Sequence, residues 1–172
     1  LADEPVVMIG AGGVGLMALA LHKKIGGKSA IVVDIDPAVT EVAKGYFPSL
    51  TEGVIEDPRL KILHEDATNI DSLFPDGGFD VVLLDTTDEV GRAVPLFAEG
   101  FLRKVSGVLS DGGVVSRLGG SLFHQQEEVA RVFSDAVKVF GGASLLTFSG
   151  AVTYYGGPFA IVASEVVANP DW

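Results

Sequence analysis

Short apolar runs alternate with segments of helical period along most of this chain. Residues 6–9, 30–33, 60–63 and 79–84 carry almost nothing polar, the pattern of strands buried on both faces. Between the first two, apolar residues continue at helical length over residues 14–25. After the second, Val39, Val42, Ala43 and Tyr46 predict the buried stripe of another helix. Asp36-Pro37 supplies its start, an N-cap followed by a proline at the first helical position, and Pro48 ends it. Residues 49–58 read as a surface loop. A short helix after the third run ends before Pro75, and Asp76-Gly77-Gly78 turns the chain into the fourth.

The second half repeats the alternation. Phe97, Phe101, Val105 and Val108 predict a helix, and Asp111-Gly112-Gly113 a turn into a strand over residues 114–116. Beyond Gly119-Gly120 an amphipathic helix should turn Val129, Val132, Phe133, Val137 and Phe140 inward. Residues 143–148 and 159–163 predict a closing antiparallel pair. Strands alternating with helices imply a single α/β domain over residues 1–172, a doubly wound and mostly parallel sheet. Right-handed crossovers then set the carboxyl ends of the first, second and fourth strands along one rim. Residues 10–15, Asp34, Asp66 and residues 85–88 are expected to converge there.

That rim carries the candidate chemistry. The first strand runs into Gly10-Ala11-Gly12-Gly13-Val14-Gly15 and then a helix, and Asp34 closes the second strand 19 residues after Gly15. Gly10 suits a tight turn, Gly12 a close backbone approach to a ligand, and Gly15 close packing of helix on sheet. A carboxylate at Asp34's spacing would accept hydrogen bonds from a ribose diol. Asp85-Thr86-Thr87-Asp88-Glu89 forms a polar loop at the end of the fourth strand. Asp66 follows the third, where it could meet a ligand or equally cap the next helix.

Composition narrows the choices. Hydrophobic residues make up 48% and charged residues 20% of the 172, a globular balance. A net charge of −11 argues against nucleic acid or an anionic membrane as partner and suits a cationic ligand. Without cysteine there is neither a disulfide nor thiolate chemistry. His22, His64 and His124 lack metal-ligand spacing, so no metal is expected, and Ser121 has no paired base. No signal peptide or membrane-length apolar run is present. The expected setting is the cytoplasm and the expected assembly a homodimer. Leu1 in place of an initiator methionine is consistent with a fragment or an excised domain.

From about Asp34 to Ser164 the chain resembles the spermidine synthase (polyamine aminopropyltransferase) family. The matching stretches are V-D-I-D-P-A-V (33–39), A-K-G-Y-F-P-S-L (43–50), D-P-R-L-K-I-L-H-E-D-A (57–67), F-D-V-V-L-L-D-T-T-D (79–88) and V-T-Y-Y-G-G-P-F (152–159). The resemblance implies a Rossmann-like fold of the S-adenosylmethionine methyltransferase type. It also implies decarboxylated S-adenosylmethionine, or S-adenosylmethionine, as co-substrate and a polyamine as acceptor. By the same resemblance Asp34 would bind the ribose hydroxyls and Asp66 the adenine amino group. Asp85 would stand beside the attacking amine, with Asp88 and Tyr154 holding the polyamine.

The sequence departs from the family pattern in four places. Gly13 stands where the family's glycine turn has an acid, Glu89 where a proline commonly follows the second aspartate, and Leu118 where a glutamine is expected. The family's N-terminal β-rich domain is expected to be missing. Residues 6–33 resemble instead the cofactor-binding βαβ unit of medium-chain alcohol dehydrogenases, which implies NAD as the alternative ligand. Three functions therefore stand side by side: an aminopropyltransferase, an NAD-binding dehydrogenase domain without its catalytic partner, and a non-catalytic nucleoside-binding domain. A chimera of the first two would give the same mosaic.

Overall fold

The computed structural model describes residues 5–9, 29–48, 54–152 and 157–165, with backbone and pairing only for the first strand and the last two. Its elements are β1 (Pro5–Ile9), β2 (Ser29–Val33), α1 (Pro37–Tyr46), β3 (Leu60–Leu63), a 3₁₀ turn (Ala67–Asn69) running into α2 (Ile70–Leu73), and β4 (Phe79–Leu84). A second 3₁₀ segment (Gly91–Phe97) leads into α3 (Glu99–Val108). β5 (Leu109–Ser121), α4 (Gln126–Phe140), β6 (Ser144–Val152) and β7 (Gly157–Glu165) follow.

The strands form one seven-stranded sheet in the order β3-β2-β1-β4-β5-β7-β6. β1 through β5 pair in parallel. β7 enters antiparallel between β5 and β6, so the closing pair is antiparallel as its sequence predicts. The order reverses between β1 and β4, and such a switch point leaves a crevice at the strands' carboxyl ends. Register decides what meets there. Leu63, Val33, Ile9, Leu84 and Arg117 align across five strands. Asp34 and Asp85 are each the next residue beyond that row, on strands flanking β1. Two inter-strand spacings put their backbones roughly 10 Å apart.

The main core lies on one face of the sheet. Val33, Val82, Leu84 and Val115 meet Phe101, Leu102, Val105 and Val108 of α3, and Val132 and Ala136 of α4. Burying a side chain of this size stabilises by about 1.5–3 kcal/mol. Phe74 meets Phe79 edge to face, ring centres 4.9 Å apart. The other face carries Ala30 and Val32, with Val54, Leu60, Ile62 and Leu83 around them.

Four details differ from the sequence expectation. In α1 the buried residues are Thr40 and Ala43, whereas Val42 and Tyr46 face solvent, Tyr46 with 79% of its surface open. Phe97 belongs to the 3₁₀ segment, and α3 starts only at Glu99. α4 buries Val129, Val132, Asp135 and Ala136, while Val137 is exposed. β5 is far longer than residues 114–116. It starts at Leu109, absorbs the Asp111–Gly113 turn as an irregularity of its pairing with β4, and runs on through both glycines to Ser121. Gly113 allows that irregularity, since a Cβ there would lie 2.8 Å from the carbonyl oxygens of both Phe79 and Ser110.

Candidate functional site

The crevice at the switch point is a cleft of about 520 Å3, within the range of ordinary small-molecule sites. Its floor and sides come from three strand ends and the segments that follow them. Val33, Asp34, Ile35 and Val39 follow β2, Asp66, Ala67 and Thr68 follow β3, and Thr86, Thr87, Arg92, Ala93, Pro95 and Leu96 follow β4. The lining is mostly apolar with a few charged groups, the usual makeup of a site for a flat heterocycle with a polar appendage.

Asp34 is fixed by its own chain. Its Oδ1 accepts a hydrogen bond from the Asp36 N–H at 2.9 Å. Asp36 in turn caps α1 by accepting from the Ala38 N–H at 2.9 Å, with Pro37 starting the helix. Asp66 does both of the things its position allows. Its Oδ1 accepts from the Thr68 N–H at 2.9 Å and from the Thr68 hydroxyl at 2.8 Å, capping the 3₁₀ turn, and the residue also lines the cleft. The expected pairing of Asp34 and Asp66 in one cleft is therefore present.

The loop after β4 walls two spaces. Thr86 and Thr87 line the large cleft and also a narrow one beside it, which Asp88, Glu89, Phe97, Leu118, Gly119, Gly120, Gln125 and Glu128 complete. Leu118, where the family resemblance expects a glutamine, thus borders the narrow space. Asp85 heads the loop. Its side chain is exposed, yet partial desolvation at the strand end pushes its carboxyl above the usual carboxylate range. The cause is desolvation alone, with no cation offsetting it.

Behind the loop lies a charged layer that no sequence pattern announced. Arg117 is buried between β5 and α4, only 5% exposed, and its Nε–H has no hydrogen-bond partner among the described residues. Its guanidinium stacks on the Phe97 ring, 4.6 Å from the centre. Burial, and after it the nearby Arg131 cation, bring its pKa down to about 10, against the opposing pull of Glu89 and Asp135. Arg131 forms an ion pair with Glu89. The one advance signal was a cation at the position two along from inward-facing Val115.

Arg92 was also missed. No arginine lies near Asp34 in sequence, but the segment after β4 brings Arg92 into the same cleft. A phosphate placed near Asp34 would therefore not face negative charge alone. Gly10, Gly12, Gly13, Gly15 and Tyr154 lie outside the described residues, so the expected glycine turn and the tyrosine at the last hairpin are not placed. Among the described residues no group of three or more acids and histidines could hold a metal ion. No helix among them is long and apolar enough to cross a membrane.

Comparison with known proteins gives a consistent pattern. The family model described as "Spermine/spermidine synthase domain" matches residues 2–166, the glycine turn included. A polyamine aminopropyltransferase of Alkalilimnicola ehrlichii is 36% identical over 150 residues, covering 87% of this chain and 52% of that protein. A crystal structure of spermidine synthase in complex with the transition-state analogue AdoDATO superposes with a TM-score of 0.84 at 26% identity, covering 98% of this chain and 56% of that one. Human methyltransferase-like protein 13, in complex with SAH, shares the fold at a TM-score of 0.74 and 22% identity, covering 98% of this chain and 73% of that one. The chain spans about half the length of the curated relatives it matches.

Proposed function

This chain belongs to the spermine/spermidine synthase family, and we propose that it is the nucleoside-binding, catalytic unit of a polyamine aminopropyltransferase. The observation that carries the proposal is the convergence of Asp34, Asp66 and the Thr86–Thr87 walls on one mostly apolar cleft; Asp88 lines the narrow cleft beside it, and Asp85 lines neither but directly precedes Thr86 in the chain. Decarboxylated S-adenosylmethionine is the proposed donor, its adenosine in the large cleft. Asp34 would accept from the ribose hydroxyls and Asp66 from the adenine amino group. Gly10, Gly12 and Gly15 remain the proposed backbone approach to the donor, and Tyr154 part of the acceptor site.

In the reaction a neutral amine nitrogen attacks the donor's methylene carbon next to the sulfonium. A C–N bond forms, the C–S bond breaks, and its electron pair returns to sulfur, leaving methylthioadenosine and an ammonium that sheds one proton. The site must hold two cations near each other and aim a lone pair, which calls for carboxylates. As a base toward an ammonium, an ordinary Asp is mismatched by about 6 pKa units, on the order of 9 kcal/mol. The upward shift at Asp85 lessens that mismatch. Orientation of the amine and stabilisation of the developing ammonium are its main proposed roles. Asp88 would hold the acceptor's distal ammonium.

The comparisons give NAD as ligand no support. The test is turnover with decarboxylated S-adenosylmethionine and a diamine. The chain should release methylthioadenosine and aminopropylated amine in equal amounts. Asp85→Asn should lower kcat about 100-fold or more, and Asp88→Asn should raise KM for the amine. Absence of both products from the unmutated chain contradicts the proposal.

A further inference from the structure

The segment between β4 and α3 walls both clefts, yet among the described residues its own backbone ties it to little else. Its hydrogen bonds from Val90 N–H to Asp88 O, Ala93 N–H to Val90 O and Ala98 N–H to Pro95 O are all local. The anchor comes from α4. Arg131, half-buried, donates through one Nη to the Glu89 carboxylate, 42 residues away, and through the other to the Phe97 carbonyl oxygen at 3.2 Å, 34 residues away. A single planar guanidinium thereby grips the segment near both ends. A fork of fixed donors is suited to such two-point contact, and a lysine ammonium is not. From β5, Arg117 covers the Phe97 ring. Phe97 is held by its carbonyl and by its ring, from two different elements.

We propose that Arg131 is a positioning residue: it clamps residues 89–97 so that the walls of the large and the narrow cleft keep one shape, with Arg117 backing the clamp through Phe97. Arg131 is absent from the lining of both clefts, so it acts through the segment and not on a ligand. The clamp stands on the geometry alone. Its consequence for ligand binding rests on the function proposed above.

The test compares hydrogen exchange across the full chain in the unmutated protein, Arg131→Lys, Arg131→Met and Glu89→Gln, together with methylthioadenosine affinity by calorimetry. In Arg131→Met, amides of residues 89–97 should exchange about tenfold faster, while β4 and α3 keep their rates. Arg131→Lys, able to make one contact but not both, should fall between. Glu89→Gln should accelerate the first half of the segment more than the second. The dissociation constant should rise about fivefold or more in Arg131→Met.

Unchanged exchange over residues 89–97 in both Arg131→Met and Glu89→Gln would overturn the clamp. Equal acceleration in β4 and α3 would overturn it too, by showing general loosening. Faster exchange with an unchanged dissociation constant would overturn the positioning role. If the unmutated chain binds no methylthioadenosine, the proposed function falls, and the exchange pattern alone then decides the clamp.

Discussion

The Arg117 guanidinium sits over the Phe97 ring, 4.6 Å from its centre, in a layer where it is 5% exposed and its Nε–H is unpaired among the described residues. A cation–π contact of this kind contributes about 0.5–2 kcal/mol. Against it stands the cost of holding a desolvated charge beside Arg131. Buried charges are often replaceable by apolar groups of similar length at little cost. Arg117→Met should therefore change the unfolding free energy by no more than about 1 kcal/mol. Arg117→Ala, which leaves a hole between β5 and α4, should cost about 2–4 kcal/mol. Urea denaturation separates the two, and equal losses would show that the charge itself holds the layer together.

Asp85 predicts a pH dependence. Partial desolvation raises its carboxyl in the folded chain, so the fold disfavours the ionised form. Its penalty is absent where both states are protonated, below the ordinary Asp value near ~3.9. It grows as pH rises through that value toward the folded one, and is constant above. Asp85→Asn should thus be more stable than the parent at pH 7, with the gain shrinking on acidification. Because the side chain is exposed, screening limits the gain to on the order of 0.5 kcal/mol. Thermal unfolding between pH 4 and 8 should show a Tm rise of about 1–2 °C at neutral pH. A variant less stable than the parent at pH 7 would contradict the desolvation account.

Two glycines should respond in opposite directions. Gly113→Ala drives a Cβ to 2.8 Å from two carbonyl oxygens and should cost about 1–3 kcal/mol. Gly107, inside α3, has open space around its Cβ position, so Gly107→Ala should stabilise by about 0.5–1 kcal/mol. Chemical denaturation measures both. A tolerated Gly113→Ala would mean that the β4–β5 irregularity can shift without loss.

The cap at Asp36 couples stability to the site. Asp36→Ala removes the acceptor for the Ala38 N–H and should cost about 1 kcal/mol. The Asp36 N–H also holds the Asp34 carboxylate, so the entry to α1 and the proposed ribose-binding acid share one turn. The measurement is the denaturation midpoint, with methylthioadenosine affinity alongside. Lost affinity without lost stability would place Asp36 itself at the ligand.

What the sequence made legible follows from how each feature is encoded. The β1–β4 runs are local and unbroken, so strands, switch point and the rim positions of Asp34 and Asp66 could be read directly. Asp36-Pro37 announces α1 for the same reason. Periodicity marks an apolar stripe but not whether anything packs on it, and so Val42 and Tyr46 appear inward when they are exposed. Paired glycines look like a strand's end, although in β5 they lie within the pairing. Arg92 in the cleft, and Arg131 reaching Glu89, depend on tertiary approach between segments far apart in sequence. No local pattern encodes such pairs.

The central claim is that the cleft at the carboxyl ends of β2, β3 and β4 takes an adenosyl ligand through Asp34. Calorimetric titration of the unmutated chain and of Asp34→Asn with methylthioadenosine, and of the unmutated chain with NAD, tests it most directly. The asparagine keeps an oxygen for the Asp36 N–H and loses only the charge and one acceptor. Removing a charge-assisted pair costs about 1.5–3 kcal/mol, roughly 10–100-fold in affinity. The account predicts one methylthioadenosine per chain, bound more tightly than NAD and weakened at least about tenfold by Asp34→Asn. No binding, equal binding by the variant, or a preference for NAD would contradict it.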